Sequence, residues 1–409
     1  MDFEDTREEA EFRAECRAWL EANASERAPG SEVGMSARDN ETVERAQAWQ
    51  AKKADAGWAC ITWPREYGGR GATRIQGSIW NQEEARFETP PNLFLIGQGM
   101  LGPTLMAHGT EAQQTRYLEK MLRGEEIWCQ LFSEPGAGSD LAALRTRAEQ
   151  DGDAWVINGQ KIWTTGAQYS RWGMIVTRTS PGAVKHKGIT YFIVDMHAPG
   201  VEVRPIKQIN GGSSFNEVFF SDVRVPAENM IGRVNEGWRG AITTLMNERA
   251  AIGGGGMGGG VDTLVRLAQQ VPIDGRPALE DAGVRQRIAR LYIRQRGVQL
   301  AGLRSLTALS RGETPGPDLS IGKLVGAPLR QEMAAFALEL LGPMGAVDDD
   351  AVGDRLWQQA YLGAPGGRIA GGTDEIMRNI ISERVLGLPP ETRVDKHVAF
   401  EDVPTGRKS

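Results

Sequence analysis

The hydrophobic period of this chain changes twice, near residues 126 and 237, and that order constrains the fold more than any other feature. Up to about residue 125 the pattern is helical. Phe12, Cys16 and Leu20 recur at four-residue spacing, which an α-helix stacks along one face. Thr42–Ala56 is rich in helix formers and stops at Gly57. Thr110-Glu-Ala-Gln113 is a capping box, whose side chains satisfy the first amides of a helix running towards Gly124. Between these segments GWACITWPREYGG (Gly57–Gly69) carries the prolines and glycines of a structured loop.

From residue 126 the segments shorten and become β-branched and aromatic: AWVING, GMIVTRT, ITYFIVDM, VEVRPI and NEVFFSDVRVP. Asp-Gly, Pro-Gly and Gly-Gly turns separate them, which predicts an antiparallel sheet or small barrel. Helices are expected again at Trp238–Ala251, Val284–Ser310, Asp318–Leu341 and Glu375–Leu386. The β segment thus lies between two helical layers, an α+β fold. No repeat with a period of about 20–50 residues is present, and the polar stretch beyond Pro390 is expected to be loosely held.

A length of 409 residues suits two or three packed units. The net charge of −6 leaves no dominant basic face, so nucleic acid is not an expected partner, although a local basic pocket for nucleotide phosphates is compatible with it. Cys16, Cys60 and Cys129 stand far apart, as do His108, His186, His197 and His397. That spacing argues against a zinc site or a disulfide framework and suits a reducing cytoplasm. The acidic start MDFEDTREEAEFRAECRAWL does not have the form of a secretory signal. No apolar run reaches the roughly 18 residues of a membrane span.

The stretch QLFSEPGAGSDLAALRTRA (Gln130–Ala148) holds a small-residue turn, Pro135-Gly-Ala-Gly138-Ser139. Its backbone N–H groups and hydroxyl could approach a phosphate. An ordinary turn between two elements would look the same. About 20 residues on, INGQKIWTTGA (Ile157–Ala167) pairs an indole with two hydroxyls at a strand end.

Together these segments resemble the signatures of the acyl-CoA dehydrogenase superfamily. The resemblance extends to GWACITWPREYGG, to FNEVFFSDVRVPAENMIG (Phe215–Gly232) and to GRIAGGTDEIMRNIISERVLGLP (Gly367–Pro389). It implies an N-terminal helical domain (1–125), a central antiparallel β barrel (126–235), a C-terminal four-helix bundle (236–395) and a tail (396–409). It also implies FAD held by Gln130, Phe132, Ser133, Gly138, Ser139, Trp163 and Thr165, with Glu339, Gly342, Thr373 and Glu375 from the later helices. The Thr165 hydroxyl would approach flavin N5, and Ser139 the pyrophosphate and the pantetheine arm. Ser139, Leu245, Arg249 and Gly371 are the implied substrate contacts.

The catalytic base departs from the commoner family pattern. Many members carry a glutamate at the C-terminal signature, where this chain reads Ala370-Gly371-Gly372-Thr373. Glycine cannot take a proton. Isovaleryl- and long-chain-type members place the base on the first helix after the β domain, and Leu245-Met-Asn-Glu248-Arg249 matches their glutamate–arginine pair. Glu248 is therefore the candidate base, against the alternative of a solvated helical glutamate beside Arg249. Gly371 retains the N–H that the resemblance assigns to the substrate's thioester oxygen.

Two further features stand open at this level. The run Gly253–Gly260 (GGGGMGGG) would either make room for a bulky acyl group or serve as close packing or linker. The family's arginine-x-x-phenylalanine-glycine element, which reaches a neighbour's FAD, has no counterpart in LAQQVPIDGRPALED (Leu267–Asp281). The expected activity is FAD-dependent α,β-dehydrogenation of an acyl-CoA, with electrons passed to an electron-transfer flavoprotein. The alternatives are a flavin oxidase or monooxygenase on the same scaffold, or a structural subunit of a heteromeric dehydrogenase. The assembly implied is a homodimer or tetramer, or a heteromer.

Overall fold

The computed structural model describes residues 5–27, 39–253, 260–310, 319–347, 355–393, 395 and 397–403. Helices α1 (Arg7–Asn23), α2 (Asn40–Asp55), α3 (Arg74–Glu84), α4 (Gly102–His108) and α5 (Glu111–Arg123) come first. Strands β1 (Trp128–Leu131), β2 (Arg147–Asp151), β3 (Ala154–Thr165) and β4 (Trp172–Arg178) follow. After them come β5 (Ile189–Asp195), β6 (Val201–Ile206), β7 (Phe215–Pro226) and β8 (Met230–Ile231). The later helices are α6 (Gly237–Gly253), α7 (Val261–Gln270), α8 (Ala282–Ser310), α9 (Leu319–Leu341), α10 (Leu356–Gly367) and α11 (Asp374–Ile380). The order of helices, strands and helices is the one the periodicity predicts.

Two compact units share these elements. The sheet unit comprises Gly34–Ala72, Thr89–Ala251 and Glu391–Ser409. The helical unit comprises Met1–Val33, Thr73–Glu88 and Ile252–Pro390.

In the sheet unit the strands run β6-β7-β3-β2-β4-β5-β8, and β1 also lies on β4. β1 and β2 pair with β4 in parallel, and the other pairings are antiparallel. β4 is buried at every position, as a strand covered on both faces must be. Its side chains alternate between two cores. Met174 and Val176 join Tyr191, Ile193, Leu105, Leu118 and Met121 on one face. Ile175 joins Phe192, Val194, Val218 and Phe220 on the other. A one-residue slip would exchange the two faces, so this alternation fixes the register. Tyr117 meets Trp128 and Trp172 edge-on at 5.2 Å, closing the first core where α5 covers the sheet. The Thr110–Gln113 capping box at the start of α5 is formed as expected.

In the helical unit, α1 packs on α3 through Trp19 and Trp80, 5.8 Å apart. Buried Glu83 receives Arg13 at 3.1 Å and Arg17 at 2.9 Å across the same pair. Leu264, Ile288, Leu291, Met333, Phe336 and Trp357 build the core of α7–α10. Among the described residues, no helix is long and apolar enough to cross a membrane, and no cluster of His, Cys, Asp and Glu could hold a metal.

The tail differs from the expectation of a loosely held segment. Ala399 bridges Val184, the Phe400 amide donates to Ala183 O at 2.9 Å, and Asp395 pairs with Lys185. The Phe400 ring lies 3.8 Å from the Arg178 guanidinium carbon, a cation–π contact that anchors an otherwise polar stretch.

Candidate active site

β1 delivers the chain into the turn Phe132–Ser139. Reciprocal backbone bonds close it, Glu134 N to Ala137 O at 2.9 Å and Ala137 N to Glu134 O at 3.0 Å. Beneath it the Glu134 carboxylate, 8% exposed, accepts from Arg145 N at 2.6 Å, Thr146 N at 2.9 Å and Lys161 Nζ at 2.8 Å. Lys161 is fully buried and also donates to Phe132 O at 3.0 Å. Burial opposes ionisation of Glu134, but the Lys161 charge and these donors together hold its carboxyl below the usual range. Burial likewise lowers Lys161, with Glu134 acting against it. Arg178 completes this layer, donating to Ala142 O at 2.6 Å and Lys185 O at 2.7 Å, and burial lowers its pKa to about 10.

The Glu134 carboxylate beneath the turn is therefore fixed by three donors. The outer face of the turn is open: a Cβ built on Gly136 or Gly138 would meet nothing within 4 Å. Phe132 is buried edge-on against Tyr191, while Ser139 is exposed.

Ser133 O accepts from Ile162 N at 2.9 Å, tying the turn to β3. Immediately afterwards β3 bulges against β7, between Lys161 and Thr164. At the bulge Trp163 adopts φ +61° and is 57% exposed, with its ring edge-on to Phe215 at 6.0 Å. A bulky residue in left-handed backbone costs about 1–3 kcal/mol, and such strain concentrates at functional sites. Thr165 is exposed two residues further on.

Glu248 lies on α6. Gln130 Nε2 donates to Glu248 Oε2 at 3.1 Å, so the carboxylate sits beside the strand that leads into the turn. One helical turn earlier, buried Thr244 Oγ1 lies 2.8 Å from Thr104 Oγ1 and 3.1 Å from the Tyr191 hydroxyl. Burial pushes the Tyr191 phenol up, so it remains a neutral donor. Leu245 packs against the adjoining core. The Arg249 side chain and residues 254–259 of the glycine run lie outside the described residues.

Glu339, Gly342, Gly371, Thr373 and Glu375 belong to the helical unit. Thr373 caps α11, its hydroxyl accepting from Ile376 N at 3.3 Å. Gly371 and Gly372 have φ +66° and +98°, and a Cβ on Gly372 would come 2.5 Å from Met377 Cε. Arg368 grips buried Asp374 at 2.7 Å and Gln331 at 3.1 Å, and Lys323 donates to Gly372 O. Arg368, Thr373, Asp374 and Glu375 line part of a cavity of about 270 Å³. Exposed Glu339 is forked with Arg287, and Gly342 has φ +58°.

Sequence reasoning missed the Glu134–Lys161 pair and the Thr104–Thr244–Tyr191 hydroxyls. Lys161, set among Asn158, Gln160 and Thr164, offered no local signal of its burial. The groups of the sheet unit fit a flavin nucleotide: open backbone at Gly136 and Gly138, an exposed indole at Trp163, hydroxyls at Ser133, Ser139 and Thr165. Separately, Gln130 Oε1 is buried and accepts from nothing in the protein.

The N-terminal, middle and C-terminal domains of acyl-CoA dehydrogenase match residues 6–125, 129–223 and 235–386. The chain is 40% identical over 387 residues to "Acyl-CoA dehydrogenase IpdE1" of Mycobacterium tuberculosis, covering 94% of this chain and 98% of that protein. Among solved structures, "Tcur3481-Tcur3483 steroid ACAD" aligns with TM-score 0.79 and 30% identity over 96% of this chain and all (100%) of that one. The ChsE4-ChsE5 complex from M. tuberculosis aligns with TM-score 0.79 and 29% identity over 96% of this chain and 100% of that chain. The chain belongs to the acyl-CoA dehydrogenase family: it is an FAD-dependent oxidoreductase that dehydrogenates acyl-CoA thioesters.

Proposed function

We propose that Glu248 removes the α-proton of the acyl-CoA. One observation carries this reading: the Gln130–Glu248 hydrogen bond of 3.1 Å places the carboxylate at the flavin-signature strand rather than in bulk solvent. The α-proton of a thioester is weakly acidic, so the base must be held against the α-carbon while charge on the thioester oxygen is stabilised. We assign that second task to the backbone N–H of Gly371. FAD, when bound, supplies the acceptor for the β-hydride. Gly136, Gly138 and Ser139 offer the pyrophosphate open backbone and a hydroxyl, Trp163 offers the ring a flat face, and Thr165 places a hydroxyl at its edge. Leu245 and Arg249 are assigned to the acyl-CoA, and Glu339, Gly342, Thr373 and Glu375 to the cofactor's remainder. The three-domain division at residues 125, 235 and 395 belongs to the same reading, as does a cytoplasmic setting.

The substrate class we infer is a branched or ring-bearing acyl chain. The empty side-chain slot at Gly371 supports it, as does the likeness to a structure titled "steroid ACAD". Electrons then pass to an electron-transfer flavoprotein. Anaerobic bleaching of the bound flavin by a panel of straight, branched and sterol side-chain CoA esters tests this. Ring-bearing esters are expected to bleach it fastest, and a preference for short straight chains would contradict the assignment. Hydrogen peroxide formed in step with turnover would point instead to an oxidase.

A second reading has two observations behind it. The neighbour-arginine element is missing, and one structural relative is the ChsE4-ChsE5 complex. A heteromeric partner would supply what this chain lacks. Protein purified alone that is folded yet colourless, and turns yellow only with a partner chain, would favour it.

A further inference from the structure

We propose that Gln130 is a positioning residue for Glu248, a role distinct from the flavin contact implied by its place in the signature. The proposal rests on Glu248 being the base.

Gln130 is held rigidly from behind. Its neighbours Cys129 and Leu131 are fully buried, and it sits opposite Met174 in the parallel β1–β4 pairing. α6 is anchored from the other side, because Thr244, four residues before Glu248, is bound by Thr104 and Tyr191. With both backbones fixed, the remaining freedom lies in the glutamate torsions. The amide removes part of it through the 3.1 Å bond from Nε2 to Oε2.

The other half of the amide is informative. Gln130 Oε1 is buried and accepts from nothing in the protein, although buried carbonyl oxygens ordinarily find a donor. A primary amide carries a donor and an acceptor on opposite sides. A carboxylate only accepts, whereas the acid formed after proton transfer also donates. In that step the substrate's α C–H bond would break and an O–H bond would form on Glu248, and bound FAD would supply the acceptor for the β C–H electron pair as hydride. A half-turn of the amide brings Oε1 to face the new O–H. Gln130 can thus hold Glu248 both before and after proton transfer, which a purely apolar or purely donating side chain could not.

Gln130→Met keeps the length and volume while removing both functions. The test is single-turnover flavin reduction of the holoenzyme, using the CoA ester that bleaches the parent fastest, protiated or deuterated at the α-carbon. FAD content and substrate binding are expected to stay within about twofold. The reduction rate should fall about 10- to 100-fold, the loss of one hydrogen bond to a charged group, and the α-deuterium isotope effect should rise. Gln130→Asn, whose amide is one methylene short, should also be slow, and it covers the case in which the methionine variant misfolds. A parental rate and isotope effect in these variants would overturn the proposal while leaving Glu248 in place, provided Glu248→Gln is inactive. Loss of FAD from Gln130→Met would overturn it too, since the side chain would then serve the cofactor. If Glu248→Gln itself reduces at the parental rate, the assignment of the base fails and this proposal falls with it.

Discussion

Two glycine-containing signature turns of the molecule are stabilised to different degrees by buried charge. The turn at Glu134–Ser139 rests on groups distant in sequence: Lys161 from β3, the amides of Arg145 and Thr146, and Arg178 from β4 beside them. The turn at Gly371–Thr373 rests on the Thr373 cap on Ile376 and on Arg368 gripping Asp374, six residues away, with Lys323 of α9 donating to Gly372 O. The first is a buried charge network whose failure leaves an unpaired ion in a dry interior. The Thr373 cap of the second is a neutral bond whose failure frays one turn. A site that must keep its backbone open toward a ligand can be made rigid from below, as the first turn is by the Glu134–Lys161 pair.

That contrast predicts unequal damage. Lys161→Met should be the most severe, because it strands the Glu134 carboxylate at a position 8% exposed. Breaking a buried pair costs about 3–5 kcal/mol, to be read as a fall in the urea midpoint of the sheet unit. Adding Glu134→Gln to that variant should recover part of the loss. A cost under about 1 kcal/mol would mean that the pair behaves like a surface salt bridge.

Acid should act next. The folded-state pKa of Glu134 is depressed, so its contribution is complete above its ordinary value of 4.5 and is lost as pH falls through the lower folded value. The Arg145 and Thr146 amides should then lose hydrogen-exchange protection corresponding to about 1.5–3 kcal/mol. The Ile376 amide, bound by a hydroxyl that does not itself titrate, should lose less, the neighbouring exposed Glu375 carboxylate being the acid-sensitive group there. Parallel loss at all three amides would erase the distinction between the turns. The smallest effect is expected for Thr373→Ala, about 1 kcal/mol for one N-cap, seen as local exchange in α11 with the sheet unit unchanged.

The same contrast separates what was legible in the sequence from what was not. The capping box at Thr110, the α6 and α9 helices and the two-faced strands follow from local period and propensity, and they lie where expected. The Glu134–Lys161 pair spans 27 residues and the Gln130–Glu248 bond spans 118, and no local pattern encodes either. The tail is a similar case: its polar composition suggested a loose end, yet Phe400 and Asp395 find partners on the β4–β5 connection and on β4. Helix α10 escaped notice because Gly363, Pro365 and Gly366 fall within it or at its end, where propensity reads as loop.

The base assignment is the centre of the account, and Glu248→Gln tests it most directly. The substitution keeps side-chain size and hydrogen bonding but removes the basic carboxylate. In an anaerobic stopped-flow experiment the variant should retain FAD, bind acyl-CoA and reduce its flavin slower by about 10²–10⁴-fold, the usual contribution of a positioned general base. Flavin reduction at the parental rate in a fully loaded Glu248→Gln enzyme would contradict the account.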